Sequence, residues 1–231
     1  MRLEVLPDEG AVAGRAAAWI AASAREAVAA RGRFALAVSG GRTPWLMLRA
    51  LASEEVPWRS VHLFQVDERV APSGHADRNL THVEESLGGA ALASMSLHPM
   101  PVEEADLGAA ALRYQRALEA ACGSPAVLDA VHLGLGADGH TASLVPGDPA
   151  LDVTGADVAV TGSYAGRLRM TLTYPALERA RAVLWVVTGA EKAPALQRLL
   201  ARDRAIPAGR VRADRALVLA DGAAAPGVRW A

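Results

Sequence analysis

Two strings in this chain carry side chains suited to acid–base chemistry near neutral pH. Asp138-Gly139-His140 places a carboxylate two residues from an imidazole. A histidine whose ordinary pKa is about 6.5 serves as a general base there, and a nearby carboxylate orients the ring or raises its basicity. Activity relying on it should fall as pH drops below about 6.5. Asp67-Glu68-Arg69 offers a carboxylate able to act as a base or hold a sugar hydroxyl, and a guanidinium able to grip a phosphate as a fork. Ser39-Gly40-Gly41-Arg42-Thr43-Pro44 offers something different. Its two glycines permit close backbone approach, Thr43 is suited to capping a helix and Pro44 to its first position, so free N–H groups would face an incoming anion. It is not a Walker loop, because no Gly-Lys-Ser/Thr follows. Thr188-Gly189-Ala190-Glu191-Lys192 contributes the one lysine of the chain.

Other chemistries fail on spacing. Gly134 to Gly139 spells G-x-G-x-x-G, yet it lies past mid-chain, and Pro146, Gly147 and Pro149 cut off the long helix that a dinucleotide site requires. Ser39 with His140 and an acid would form a nucleophilic triad, but the G-x-S-x-G elbow is missing, since Ala37 and Val38 precede Ser39. His75 and His82 have no nearby pattern to complete a metal site. The lone Cys122 excludes an intramolecular disulfide and a cysteine-based zinc cluster. Taken singly, each remaining loop also reads as an ordinary or solvated turn.

Such loops need strands and helices to position them. Residues 11–30 place Val12, Ala16, Trp19, Ile20, Ser23 and Ala27 at three- and four-residue spacing, which predicts an amphipathic helix ended by Gly32. Short apolar runs recur at 34–38, 61–66, 130–135, 158–161, 170–173, 182–187 and 216–219. They lack strict alternation, which suits strands buried on both faces of a largely parallel sheet. Helical stretches fall between them at 44–52, 79–87, 107–121, 176–181 and 191–201. The alternation predicts an α/β fold, a Rossmann-like α/β/α layered arrangement with a mostly parallel central sheet, as one domain over 1–231. Ligands of such sheets bind at the carboxyl ends of the strands, where the four loops lie.

Composition narrows the partner. Alanine supplies 51 of the residues behind the 52% hydrophobic fraction, leaving about 30% larger apolar side chains, enough for a core and too many for a disordered chain. The net charge of −1 gives no broad footprint for nucleic acid or an anionic membrane, so an anion must be held locally. No secretion signal or membrane span is read near the N-terminus, and a cytoplasmic location is expected. Of 24 basic residues only Lys192 is lysine.

Together the loops resemble the 6-phosphogluconolactonases, within the larger family that includes the glucosamine-6-phosphate deaminases. The matching strings are Ser39-Gly40-Gly41 with Thr43-Pro44, Phe64 through Arg69 with Val70 and Pro72, Asn79, Gly134 through Leu144 with Pro146, Arg169 through Pro175, and Thr188-Gly189 with Glu191-Lys192-Ala193. They occur in family order and span nearly the whole chain. The resemblance implies hydrolysis of 6-phospho-D-glucono-1,5-lactone to 6-phosphogluconate without metal or cofactor. His140 would be the base and Asp138 its orienting partner. Ser39, Gly40, Gly41, Thr43, Asp67, Arg69, Asn79, Arg169 and Lys192 would meet the substrate and its phosphate. Arg42, Leu80 and Val145 depart from the common pattern. The deaminase pattern places a glutamate where Val145 stands, and Val145 cannot carry a proton. A non-catalytic sugar-phosphate sensor is the other alternative; no helix-turn-helix region is read before the domain. The expected partner is one small sugar-phosphate lactone, with the chain a monomer or weak homodimer.

Overall fold

A computed structural model describes residues 1–227, so residues 228–231 of the domain expected over 1–231 lie outside the described residues. Seven strands form a central sheet in the order β1 (Arg2–Leu6), β10 (Ala216–Asp221), β9 (Val183–Val187), β6 (Ala130–Leu133), β2 (Phe34–Val38), β3 (Val61–Gln65) and β5 (Ser96–His98). Every adjacent pair is parallel. β2, β6 and β9 sit in the middle, and β2 and β9 are buried at every residue, which explains why they read as continuous apolar runs.

Helices cover both faces. One apolar layer packs α1 (Glu9–Arg31), α2 (Arg42–Leu51) and α3 (Asn79–Ser94) against the sheet. The opposite layer contains α4 (Leu107–Cys122), the short α5 (Tyr174–Arg179), α6 (Ala193–Leu200) and the single turn α7 (Pro207–Arg210). Asp8 caps α1 by accepting from Ala11 N at 2.8 Å, as an N-cap carboxylate should. The buried stripe of α1 is mainly alanine: Ala13, Ala16, Ala17, Ala21, Ala24 and Ala27 join Val12 and Ile20. Trp19 and Ser23, placed on that face by their spacing, lie at its half-buried edge.

The structure corrects several expectations. Asp67–Arg69 is not a loop but a strand, β4, in a second sheet with β8 (Arg169–Leu172) and β7 (Val158–Val160), both of its pairings antiparallel. The runs at 158–161 and 170–173 therefore do not belong to the parallel sheet. Thr43 does not cap α2: Gly41 occupies the N-cap, and the helix begins at Arg42, with Pro44 two residues further on. Arg2–Leu6 and Ser96–His98, unanticipated, form the two edges of the main sheet, where half-exposed strands have a weaker apolar signal. Among the described residues no helix is long and apolar enough to cross a membrane.

Candidate active site

At the carboxyl ends of β2, β3, β6 and β9 an open cleft of about 360 Å³ gathers residues from all four loops. Of the candidates, Ser39, Gly40, Gly41, Thr43, Asp67, Arg69, Asn79, His140, Arg169 and Lys192 line it, whereas Asp138 stands behind His140.

The first wall is the start of α2. Trp45 N is the first N–H used inside the helix, donating to Gly41 O at 3.1 Å, so those of Arg42 and Thr43 have no partner within it. Oriented N–H groups at a helix start favour an anion. Thr43 Oγ1 donates to Glu9 Oε1 at 2.7 Å and lies 2.6 Å from Thr188 Oγ1, which ties this wall to the loop after β9. Ser39 serves as an anchor: its hydroxyl donates to His132 O at 3.2 Å and its N–H to His132 Nδ1 at 3.3 Å. Gly40 is glycine for a contact reason, since a Cβ there would lie 1.9 Å from Asn79 Oδ1.

The second wall follows from the two-residue period of a strand. On β4, Asp67 and Arg69 share one face and Glu68 takes the other. Register places Arg69 directly opposite Arg169 on β8. Two like charges facing across a ladder repel, which invites an anion between them. Among the described residues neither arginine has a carboxylate within 4 Å, and the buried Arg169 Nε has no hydrogen-bond partner. Burial draws the Arg169 pKa down and Arg69 adds to this, against the opposing pull of Asp67. Asp67, also buried, accepts from Ser143 Oγ at 2.6 Å. Its burial raises the carboxyl pKa more than Ser143, Arg69 and Arg169 lower it. Arg69 is aimed by Asp77 O at 2.9 Å and Asn79 Oδ1 at 3.1 Å.

Glu68, fully buried, fixes this wall from behind. It accepts from Arg69 N, Asn79 N and Leu80 N, each at 2.8 Å, and from Gln65 Nε2 at 2.7 Å, while Arg78 pairs with it at 3.1 Å. It thus satisfies free N–H groups at the start of α3 in place of a side-chain cap.

The third wall holds the acid–base pair. His140 Nδ1 lies 2.6 Å from Asp138 Oδ1, and His140 N donates to the same oxygen at 3.1 Å. Burial would raise the Asp138 pKa, but these bonds, the charge of His140 and a bond from Tyr164 hold it below the usual carboxylate range. An ionised Asp138 only accepts, so Nδ1 carries the proton and Nε2 keeps a lone pair for the cleft. The loop closes through Gly136 N donating to His140 O at 2.8 Å. Gly136 admits the ring: a Cβ there would lie 2.1 Å from His140 Nδ1.

Lys192 ends a single 3₁₀ turn at Ala190–Lys192, and among the described residues its amine has no carboxylate within 4 Å. The cleft therefore presents an Asp138-held imidazole opposite Arg69, Arg169 and Lys192, none of which has a carboxylate within 4 Å among the described residues. Hydrolysis at a carbonyl next to a phosphate-bearing chain fits that arrangement.

The model of the family described as glucosamine-6-phosphate isomerases/6-phosphogluconolactonase matches residues 7–219. The chain belongs to this family. A 6-phosphogluconolactonase of Nostoc sp. is 36% identical over 204 residues, covering 86% of this chain and 85% of that one. One from Mycobacterium tuberculosis is 37% identical, covering 84% and 83%. The crystal structure of a 6-phosphogluconolactonase from Shewanella baltica superposes with a TM-score of 0.86 at 25% identity, over 96% of this chain and 97% of that one.

Sequence reasoning missed Tyr164, Ser143, His132 and the structural role of Glu68. The position of Glu68 was available from strand alternation, had 67–69 been read as a strand. Tyr164 precedes an Ala165-Gly166 turn, a hairpin signal, but its partners become visible only once that hairpin is folded.

Proposed function

We propose that this chain hydrolyses 6-phospho-D-glucono-1,5-lactone to 6-phospho-D-gluconate, with His140 as the general base. The observation that carries the reading is the free Nε2 of an Asp138-held imidazole facing a cleft with the opposed Arg69 and Arg169 and the unpaired Lys192. These cations and the N–H groups of the 39–43 loop anchor the 6-phosphate. Holding the phosphate places C1 beside the imidazole and removes much of the entropic cost of the encounter.

His140 Nε2 takes a proton from a water as its oxygen bonds to C1. The C1–ring oxygen bond then breaks, and the imidazolium returns its proton to the departing oxygen. Asp138 keeps Nδ1 protonated throughout and stabilises the transient imidazolium. Asp67 and Asn79 face the sugar, where the carboxylate accepts from a hydroxyl.

Ammonia release from glucosamine 6-phosphate, the other activity in the family name, needs a proton carrier where Val145 stands, and Val145 is a buried apolar side chain outside the cleft lining. The test offers freshly made 6-phosphogluconolactone and, separately, glucosamine 6-phosphate. Acid release well above the spontaneous rate is expected with the first and no ammonia with the second. Ammonia without lactone hydrolysis would reverse the assignment, and tight binding without either product would make the chain a sensor.

A further inference from the structure

Tyr164 lies on the hairpin between β7 and β8, outside the four loops; its carbonyl accepts from Arg169 at 3.5 Å and its side chain makes three contacts with the site. Its hydroxyl donates to Asp138 Oδ2 at 3.2 Å. Its ring meets His140 edge-on, with centroids 5.4 Å apart and planes at 64°. The Arg169 guanidinium lies over its ring, 5.0 Å from the centroid. The hairpin itself is fastened: its Arg167 donates twice, at 3.0 and 2.8 Å, to Asp77 Oδ2, on the segment whose Asp77 O aims Arg69.

We propose that Tyr164 is a positioning residue that couples the acid–base pair to the phosphate grip, a role that rests on the lactonase reading above. Asp138 has two oxygens and one ring to hold. With Oδ1 bound to His140 and Oδ2 bound to Tyr164, the carboxylate cannot swing away, and the imidazole stays in the tautomer that presents Nε2. The hydroxyl also draws charge from Asp138, so the imidazolium is stabilised less than by an unshared carboxylate. Proximity to Asp138 and burial keep the Tyr164 proton in place, since both raise its pKa. The ring face, richer in electron density than its edge, holds Arg169 by cation–π attraction where no carboxylate does so. The ionisable groups that face His140 are Asp138 from its own loop and Tyr164 from the hairpin, with Arg169 on β8 beneath the tyrosine and Lys192 among the cleft cations.

Tyr164→Phe removes the hydroxyl and keeps the ring. The expected result is a kcat about three- to tenfold lower, the worth of one hydrogen bond, with KM unchanged. The acid limb of the kcat profile should move to higher pH, because an unshared Asp138 holds the imidazolium more strongly. Tyr164→Leu also removes the ring face and should raise KM several-fold. In an Asp138→Ala background, Tyr164→Phe should cost nothing further, since its effect passes through that carboxylate. NMR titration of the His140 imidazole in wild type and Tyr164→Phe reads the same shift without substrate, so it separates failure of this role from failure of the lactonase assignment. An unchanged imidazole titration with an unchanged acid limb overturns the proposal, as does a loss that adds fully to that of Asp138→Ala. An unchanged KM in Tyr164→Leu overturns the link to Arg169.

Discussion

His140 is the residue on which the proposed chemistry turns, and its neighbours separate the proposed catalytic role from any structural one. The side chain is a quarter exposed and, among the described residues, hydrogen-bonded only to Asp138, so removing it leaves no buried group stranded. His140→Ala should therefore lower kcat by about 10² to 10⁴, the usual worth of general-base assistance, with the melting temperature nearly unchanged. Steady-state rates corrected for spontaneous lactone opening decide this, and a mutant at wild-type kcat removes His140 from the mechanism. Lys192 is tested by a smaller change. In a chain that uses arginine at 23 of 24 basic positions, a compact ammonium on a flexible stem stands at the end of a tight turn in the cleft. Lys192→Arg keeps the charge but replaces a point charge by a planar fork, and should raise KM several-fold with little change in kcat. Both residues were legible from residue type and loop position. Tyr164 was not, because nothing in its local sequence says that it bonds Asp138 from another hairpin.

The same contrast between local and tertiary signals runs through the elements. Strands β2 and β9 are read almost to the residue, since burial on both faces leaves an uninterrupted apolar run, and β3 is read as closely although His62 and Gln65 break its run. β4 was hidden because its three residues are Asp, Glu and Arg, and only pairing with β8 makes them a strand. That pairing divides the string by function: Asp67 and Arg69 toward the cleft, Glu68 toward the start of α3. Glu68→Gln tests the division. The amide retains one acceptor oxygen but turns an NH₂ group toward backbone donors and Arg78, leaving the buried guanidinium only the more distant Glu103, at 3.9 Å, as counter-charge. Losses of roughly 3 kcal/mol are typical of such changes. Denaturant unfolding should show that loss, and KM should rise because Arg69 and Asn79 lose their backbone anchor. A variant with wild-type KM would mean that Arg69 and Asn79 keep their positions without the carboxylate.

For the whole molecule, pH dependence of stability separates groups that serve the site from groups that serve the fold. His132, on the central strand β6, is fully buried, and burial pushes its pKa down to about 3. It stays neutral and offers Nδ1 to Ser39 N, so it supports the 39–43 loop from inside the sheet. The unfolded chain protonates a histidine at about 6.5, so below that pH the unfolded state binds a proton that the folded state refuses. Stability present above about pH 6.5 is lost as pH falls through 3, on the order of 5 kcal/mol in full, a large share of the 5 to 15 kcal/mol typical of a domain. Burial lowers the His62 and His98 pKa values too, so they act in the same direction. The lowered carboxylates, such as Asp138, lose their contribution only below their ordinary range, and the raised Asp67 works in the opposite sense. Between about pH 6.5 and 4 the loss therefore comes from the buried histidines His62, His98 and His132, offset in part by Asp67. Melting temperatures measured across it should fall steeply for the wild type and less steeply for His132→Asn, whose amide oxygen can accept from Ser39 N without titrating. The slope is the readout, since the smaller side chain lowers stability at every pH, and an unchanged slope would place the acid sensitivity elsewhere.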